Sequence, residues 1–456
     1  MGISQDLVKK QKAYFEKGTT LSLDFRRAQL EKLKDLVENH QEEISQALYL
    51  DLGKSSFEAY ETEIGLVLGE LKDTLKHLRA WARPKRVPSP LSNFPARSAR
   101  YPEPYGRVLI MSPWNYPFQL ALVPLIGALA AGNCAILKPS NYSKHTSALL
   151  KKLLGQTFEE DYVAVLEGGR EANKDLLDQA FDYIFFTGSP RVGREVMAAA
   201  AKHLTPVTLE LGGKSPTIVE ASADLDLAAK RIIWGKLINA GQTCIAPDYV
   251  LVQEEVKAPL LDRMVTYIEK FYGEDVFSNP HYPHIINEKH FNRLQGLYRQ
   301  DQVFYGGQAR RDLLKIQPTL LDKVSLDAPV MGEEIFGPLL PVLSFKGLED
   351  LEATIKARPK PLALYLFTKD KAFKEAVLRR ISFGGGCIND SLVHFNSHTM
   401  PFGGVGASGM GAYHGKFSFE TFSHYKSITH RGNFLDINLR YPPFDKSLKW
   451  LKIFLK

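Results

Sequence analysis

Between Gly106 and Leu211, short apolar runs alternate with segments of helical texture. This alternation constrains the fold more than any other feature of the 456-residue sequence. The runs are RVLIM (107–111), CAILK (134–138), YVAVLEG (162–168), DYIFF (182–186) and PVTLEL (206–211). Between them lie an apolar stretch at 117–131, then TSALLKKLLGQTF, REANKDLLDQ and PRVGREVMAAAAKHL. Strands buried on both faces read as continuous apolar runs, and parallel neighbours need helical crossovers. The pattern predicts an α/β fold with a doubly wound open sheet, which binds ligands beyond the carboxyl ends of its strands. A second strand–helix series follows Gly212–Gly213: SPTIVE, ADLDLAAKRIIWGKLINAG, YVLVQE and a helix near 256–272. It predicts a second α/β domain running to about residue 395, which suits a chain of this length at roughly 150 residues per domain.

The first eighty residues are helical in pattern, with Leu30, Leu33, Leu36 and Val37 on one face and Leu68, Leu71, Leu75 and Leu78 on another. The next stretch carries prolines at 84, 88, 90, 95, 102 and 104. Proline lacks the backbone donor and fixes φ, so 83–104 is expected to be an arm, edge ribbon or linker and neither helix nor central strand. The apolar stretch Pro117–Gly132 is shorter than the ~20 residues that span a bilayer, and it reads as a buried helix. The charge excess, 58 Lys and Arg over 51 Asp and Glu, is scattered and too weak to indicate nucleic-acid binding. Cys134, Cys244 and Cys387 are too far apart for a disulfide framework or a CxxC metal knuckle, and the start reads as no signal peptide. A reducing, cytoplasmic setting and no metal site are expected.

Several motifs fall at strand ends. FTGSPRVG (186–193) places Ser189 as an N-cap and Pro190 in the first turn, so free amides and the positive dipole end make an anion site, although the glycine spacing is not the usual dinucleotide fingerprint. SPWNYP (112–117) offers the Asn115 amide as an oxyanion donor or as an ordinary turn residue. LKPSN (137–141) offers Lys138 to a phosphate or ribose, or to water. LELGGK (209–214) sets Glu210 in an apolar strand, where burial would make it a base near neutrality unless it faces solvent at the strand's end. GQTCIAP (241–247) sets Cys244 just past a helix expected to stop at Gly241; it is a candidate nucleophile, or an inert thiol. EEIFGP (333–338) alone is a turn with solvated acids. A thiol, an amide, a carboxylate and a cofactor cradle converging on one crevice suit carbonyl oxidation through a thioester, and equally a cysteine hydrolase.

At PWNYP, LKPS, FTGS, LELGGK, GQTC, EEIFGP and PFGGVGASG the chain resembles the aldehyde dehydrogenase superfamily over essentially its whole length. GQTCIAPDY, EEIFGPLLP and the terminal YPP segment are most similar to the class 3 branch, which includes fatty aldehyde dehydrogenases. The resemblance implies NAD or NADP as cofactor and medium-chain, long-chain or aromatic aldehydes as substrates. It implies Cys244 as nucleophile, Asn115 and the Cys244 amide as oxyanion donors, and Glu210 as general base, with Glu334 considered for that role or for the nicotinamide ribose. Trp114, Lys138, Asn141, Gly188, Ser189, Gly193, Glu334 and Phe336 are implied in cofactor binding. Asn141 stands where many NAD-preferring members carry Glu, so acceptance of NADP is expected. The implied domains are 1–82 with 105–210 for NAD(P), 211–395 for catalysis, and 83–104 with 396–456 as an oligomerisation arm and tail, in a homodimer. The tail stripe Leu448, Leu451 and Leu455 with its interspersed lysines either packs on the protein's own surface or attaches weakly to anionic membranes. A CoA-acylating or phosphate-linked reductase and a non-catalytic protein on this fold are the rival readings. The carboxylate at Glu210 speaks against the first, and Cys244, Asn115 and Glu210 together speak against the second.

Overall fold

The computed structural model describes residues 3–436, 441–443, 448, 449 and 452. The apolar runs form a six-stranded sheet in the order Gly409–Met410, Val207–Leu211, Tyr183–Gly188, Arg107–Met111, Cys134–Lys138, Val163–Val165. All neighbours are parallel except the Gly409–Met410 edge, which runs antiparallel to Val207–Leu211 and sets Gly409 opposite Glu210. The strand that comes first in the chain, Arg107–Met111, is central, and successive strands are added on either side of it. A crevice therefore opens at its carboxyl end, where SPWN and FTGS emerge.

The second series forms a seven-stranded sheet in the order Val303–Tyr305, Thr319–Leu321, Leu339–Phe345, Tyr249–Gln253, Pro216–Val219, Ala363–Phe367, Gly385–Ile388. Only its Val303–Tyr305 edge is antiparallel. The architecture is the α/β one expected, with a short edge strand on the first sheet supplied from the glycine cluster of the tail.

The helix Gln119–Ala131 is buried along its entire length and carries Pro124 within it. It packs between the first sheet and the helices Leu23–Asn39 and Gly65–Trp81, whose apolar stripes include the buried Leu30, Leu33, Val37, Leu71 and Leu78. Ser22 caps the first of these by accepting from the Phe25 amide at 3.3 Å. Truncating a leucine such as Leu122 here would cost ~2–5 kcal/mol.

The proline-rich stretch corrects one expectation. Arg97–Pro104 is the middle strand of a three-stranded ribbon, between Lys85–Val87 and Ser423–His430. The strand Lys85–Val87 pairs only with Ser98–Arg100, while Pro102 and Pro104 lie beyond it, opposite Tyr425 and Ser423. The prolines thus occupy the part of the strand with a neighbour on one side only, so their missing donors break no ladder on the other. No helix among the described residues is long and apolar enough to cross a membrane. The C-terminal stripe lies mostly outside the described residues, since Leu451 and Leu455 are not among them.

Candidate active site

Cys244 lies on a wall shared by two cavities. One is apolar, lined by Leu66, Tyr116, Leu120, Trp234, Ile238, Ile245, Leu392 and Phe395, with Glu61 and Asn396 among its few polar groups. The other opens at the strand ends of the first sheet and is lined by Trp114, Asn115, Thr187, Gly188, Ser189, Glu210, Gly212, His290, Glu334 and Phe336. Eight of the candidate residues therefore converge on one place: Cys244, Asn115, Glu210, Glu334, Trp114, Gly188, Ser189 and Phe336. Lys138, Asn141 and Gly193 do not line this cavity. Lys138 is buried at the end of its strand, its ammonium donating to the Pro139 carbonyl at 2.8 Å, and burial brings it down to about 8. Asn141 is exposed beside Gly169. Gly193 is buried in the helix Pro190–Ala201, where a Cβ would press on Leu211 at 2.7 Å.

The chain around Cys244 is held by an unusual turn. The α-helix Leu225–Leu237 ends four residues earlier than expected, because Asn239 (φ 53°), Ala240 (φ 50°) and Gly241 (φ 76°) are all left-handed. For the two non-glycine residues this conformation costs ~1–3 kcal/mol each, so the surroundings must impose it. Gln242 does so: its amide donates to the Asn239 and His284 carbonyls, both at 3.0 Å, and its Oε1 accepts from the Ile286 amide at 3.0 Å. Asn115 Nδ2 donates to the Gln242 carbonyl at 2.9 Å, and the Tyr116 hydroxyl meets Thr243 Oγ1 at 2.5 Å.

The three remaining motifs are tied together by a buried ion pair. Lys214 of LELGGK pairs with Asp248, which follows GQTCIAP, and donates to the Val330 and Glu333 carbonyls at 2.9 and 2.8 Å. Asp248 in turn accepts from the Ile335 amide at 2.8 Å. Arg293 donates to the Ile335 carbonyl at 2.5 Å and pairs with Glu333 at 3.0 Å. Within this clamp Phe336 takes a left-handed φ of 53° and sets its ring edge-on to Trp114 at 5.3 Å. Glu334 is folded over Gly212, where any Cβ would collide with its carboxylate.

Burial dominates the electrostatics. Glu210 is buried with both carboxyl oxygens unpartnered and is pushed well above the usual carboxylate range. Glu334 is raised to about 8 by burial and by Asp248, against the pull of the Gly213 amide and of Lys214. The Cys244 thiol is pushed up by burial and by both carboxylates, while the Cys244 and Ile245 amides pull it down. Either carboxylate, once ionised, is a proton acceptor beside a thiol that holds its proton.

A profile of the aldehyde dehydrogenase family matches residues 4–428. The chain belongs to the aldehyde dehydrogenase family. The 4,4'-diaponeurosporen-aldehyde dehydrogenase of Staphylococcus aureus is 46% identical over 458 residues, covering 100% of both chains. Aldehyde dehydrogenase family 3 member H1 of Arabidopsis thaliana is 47% identical over 455 residues, 98% of this chain and 94% of the relative. The Staphylococcus aureus AldH structure in its substrate-bound state superimposes with a TM-score of 0.99 at 46% identity, over 100% of both chains. The structure of an indole-3-acetaldehyde dehydrogenase complexed with NAD+ gives a TM-score of 0.86 at 25% identity, over 94% of this chain and 88% of that one. This chain is an NAD(P)-dependent aldehyde dehydrogenase, closely related to the family 3 branch.

The polar cavity suits the nucleotide of such a dehydrogenase. It presents Thr187 Oγ1 and Glu334 Oε1, buried and without partners, next to the first turn of Pro190–Ala201, which Ser189 caps by accepting from the Val192 amide at 3.4 Å. Aromatic faces from Trp114 and Phe336 bound it. Sequence reasoning missed His290, whose ring lies tilted by 50° against Trp114 with 5.0 Å between centroids, and which has a buried Nδ1 without a partner and is lowered to about 4 by burial. It also missed Gln242, Lys214 and Asp248 as anchors. The first and last of these sit within or beside the quoted motif GQTCIAP, and their polarity in an apolar neighbourhood was the available signal. Among the described residues no group of acidic, histidine or cysteine side chains is arranged to hold a metal ion.

Proposed function

We propose that this aldehyde dehydrogenase oxidises medium-chain, long-chain or aromatic aldehydes to carboxylic acids, with Cys244 as the nucleophile. The observation that carries the reading is the position of Cys244 between an apolar cavity, suited to the substrate's hydrocarbon, and the polar cavity suited to the nucleotide. The relative named for diaponeurosporen-aldehyde supports an extended apolar substrate.

In this reading Glu210 or Glu334 takes the Cys244 proton, and the sulfur adds to the aldehyde carbon. The Asn115 amide and the Cys244 backbone N–H hold the oxyanion. The bound nucleotide supplies the hydride acceptor that turns the adduct into a thioester. Glu210, after any proton taken from Cys244 has passed to solvent, then takes a proton from the water that releases the acid, its unpartnered oxygens leaving it free to bind that water. Trp114, Gly188, Ser189, Glu334 and Phe336, which line the polar cavity, would hold the nucleotide there, and Lys138, Asn141 and Gly193 would meet the part of it that extends beyond that cavity; it would be NAD or NADP because Asn141 carries no charge to repel a 2′-phosphate.

Residues 1–82 and 105–210 form the nucleotide domain, 211–395 the catalytic domain, and 83–104 with 396–456 the arm and tail of a cytoplasmic homodimer. Co-sedimentation with anionic liposomes, with and without the last eleven residues, tests attachment of the tail to membranes; equal binding refutes it. An aldehyde panel run with both nucleotides tests the substrate class. Higher kcat/KM for decanal and benzaldehyde than for acetaldehyde is expected, and the reverse order refutes the apolar assignment.

A further inference from the structure

Beneath the catalytic loops lies a buried charged unit contributed by the N-terminal helical layer, outside every motif quoted above. Lys54 follows the helix Gln41–Leu52, and Glu63 sits in a π-helical turn, Tyr60–Ile64; both side chains are fully buried and paired at 2.6 Å. An ion pair taken wholly out of water is weak evidence for stability, because desolvation consumes most of its Coulombic gain. Here each partner has a second task. Lys54 Nζ donates to the Asn115 carbonyl at 3.2 Å and lies 4.0 Å over the Tyr116 ring. Glu63 accepts the Phe118 and Gln119 amides at 2.8 and 3.1 Å, which gives the helix Gln119–Ala131 the N-terminal cap that its own residues do not provide.

The pair therefore grips residues 115–119 from both sides. Asn115 and Tyr116 are the two residues of this loop that reach the segment carrying Cys244, through Gln242 and Thr243. A third buried side chain, Glu58, accepts the Asn239 amide at 2.7 Å at the left-handed turn. Asn239 Nδ2 returns to the Asn115 carbonyl at 2.8 Å, so the same oxygen is held by Lys54 and by Asn239. The nucleophile loop and the amide loop are referred to one another through this unit.

We propose that Lys54 and Glu63 are positioning residues for the oxyanion donor, setting where Asn115 stands relative to Cys244. This rests on the reading of Asn115 and Cys244 given above. Neither residue lines the polar cavity, so the effect on the reaction passes through Asn115 and Tyr116. A displacement of ~1 Å in a reacting geometry can lower a rate ~100-fold.

The test compares Lys54→Met, Glu63→Gln and the double variant, which removes both charges together and so leaves neither charge buried without its counter-charge. Rates are expressed per thiol titrated in a single-turnover burst, so that loss of folded protein does not count. Expected are a fall in kcat of ~10-fold or more in each single variant, a KM for aldehyde within ~3-fold, NADH affinity by fluorescence unchanged, and a larger primary isotope effect with 1-deuterated aldehyde. The isotope effect distinguishes positioning from scaffolding, because a merely structural role lowers Tm and leaves the weight of hydride transfer in kcat as it was. If the single variants do not fold, the double variant carries the same expectation. Wild-type kcat per thiol with an unchanged isotope effect, in any folded variant, overturns the proposal. Asn115→Ala is measured in parallel. If it keeps full activity, the reading of Asn115 falls and the proposal with it; if it is impaired while the Lys54 and Glu63 variants are not, the proposal alone falls.

Discussion

The side-chain amide of Asn115 donates to the main-chain carbonyl of Gln242 at 2.9 Å, two residues before Cys244. The bond joins the loop after the central strand of the first sheet to the turn that leads into the second. Its donor has one further N–H, which is the one available to an oxygen developing on the substrate. The partners on the other side, Tyr116 and Thr243, close the same gap one residue further along each loop.

Removing that donor defines its contribution. Asn115→Ala is expected to lower kcat/KM by ~100- to 1,000-fold, the range for loss of one oxyanion donor, while NADH affinity is unchanged. A loss below ~5-fold would show that the Cys244 amide suffices.

The two carboxylates are separable by their kinetics. Glu210→Gln is expected to complete the burst of NADH and then slow by ~100-fold or more, because the acyl-enzyme waits for a base. Glu334, raised to about 8 in the free enzyme, contributes an ionisation near that pH to the kcat/KM profile, with activity rising as its carboxylate forms. Glu334→Gln removes that limb. A Glu210→Gln enzyme with wild-type steady-state turnover would transfer the base to Glu334.

Cofactor choice turns on Asn141, which is exposed at the loop following Lys138. The expected preference for NAD over NADP is below ~100-fold, or about 2.7 kcal/mol at 1.36 per decade. Asn141→Glu should lower kcat/KM with NADP by ~10-fold or more and leave NAD within ~3-fold, through repulsion of the 2′-phosphate. Steady-state assays with each nucleotide decide it.

Glu58 carries a stability signature. Burial raises its carboxyl to about 7, opposed by Lys54 and the Asn239 amide. In the unfolded chain it ionises near 4.5, so between those values the folded state holds the extra proton and stability falls as pH rises. Glu58→Gln lacks this titration. Its Tm relative to wild type should therefore rise between pH 5 and pH 8, as scanning calorimetry in matched buffers would show. A constant difference would place Glu58 in an ordinary environment.

What could be read in advance follows from how local each signal is. The strands from Arg107 to Leu211 were legible because burial on both faces writes apolar character into consecutive residues. Glu210 stood out for the same reason, as a charge in an apolar run. Arg97–Pro104 was misread because proline signals the loss of one donor, not which side of a strand lies open. The anchors were not legible: Lys54 meets Asn115 across 61 residues and Asn239 meets Glu58 across 181, and nothing in either segment announces its partner. The left-handed Asn239 and Ala240, which end a helix early, are likewise imposed by tertiary hydrogen bonds and not by local preference.

The central claim is that an acyl group passes through one sulfur. Glu210→Gln enzyme is mixed with NAD+ and decanal, quenched in acid within the burst, and digested for mass spectrometry. The account predicts a decanoyl thioester on the peptide carrying Cys244, and none on those carrying Cys134 or Cys387. NADH formed in the burst with Cys244 unmodified would contradict it.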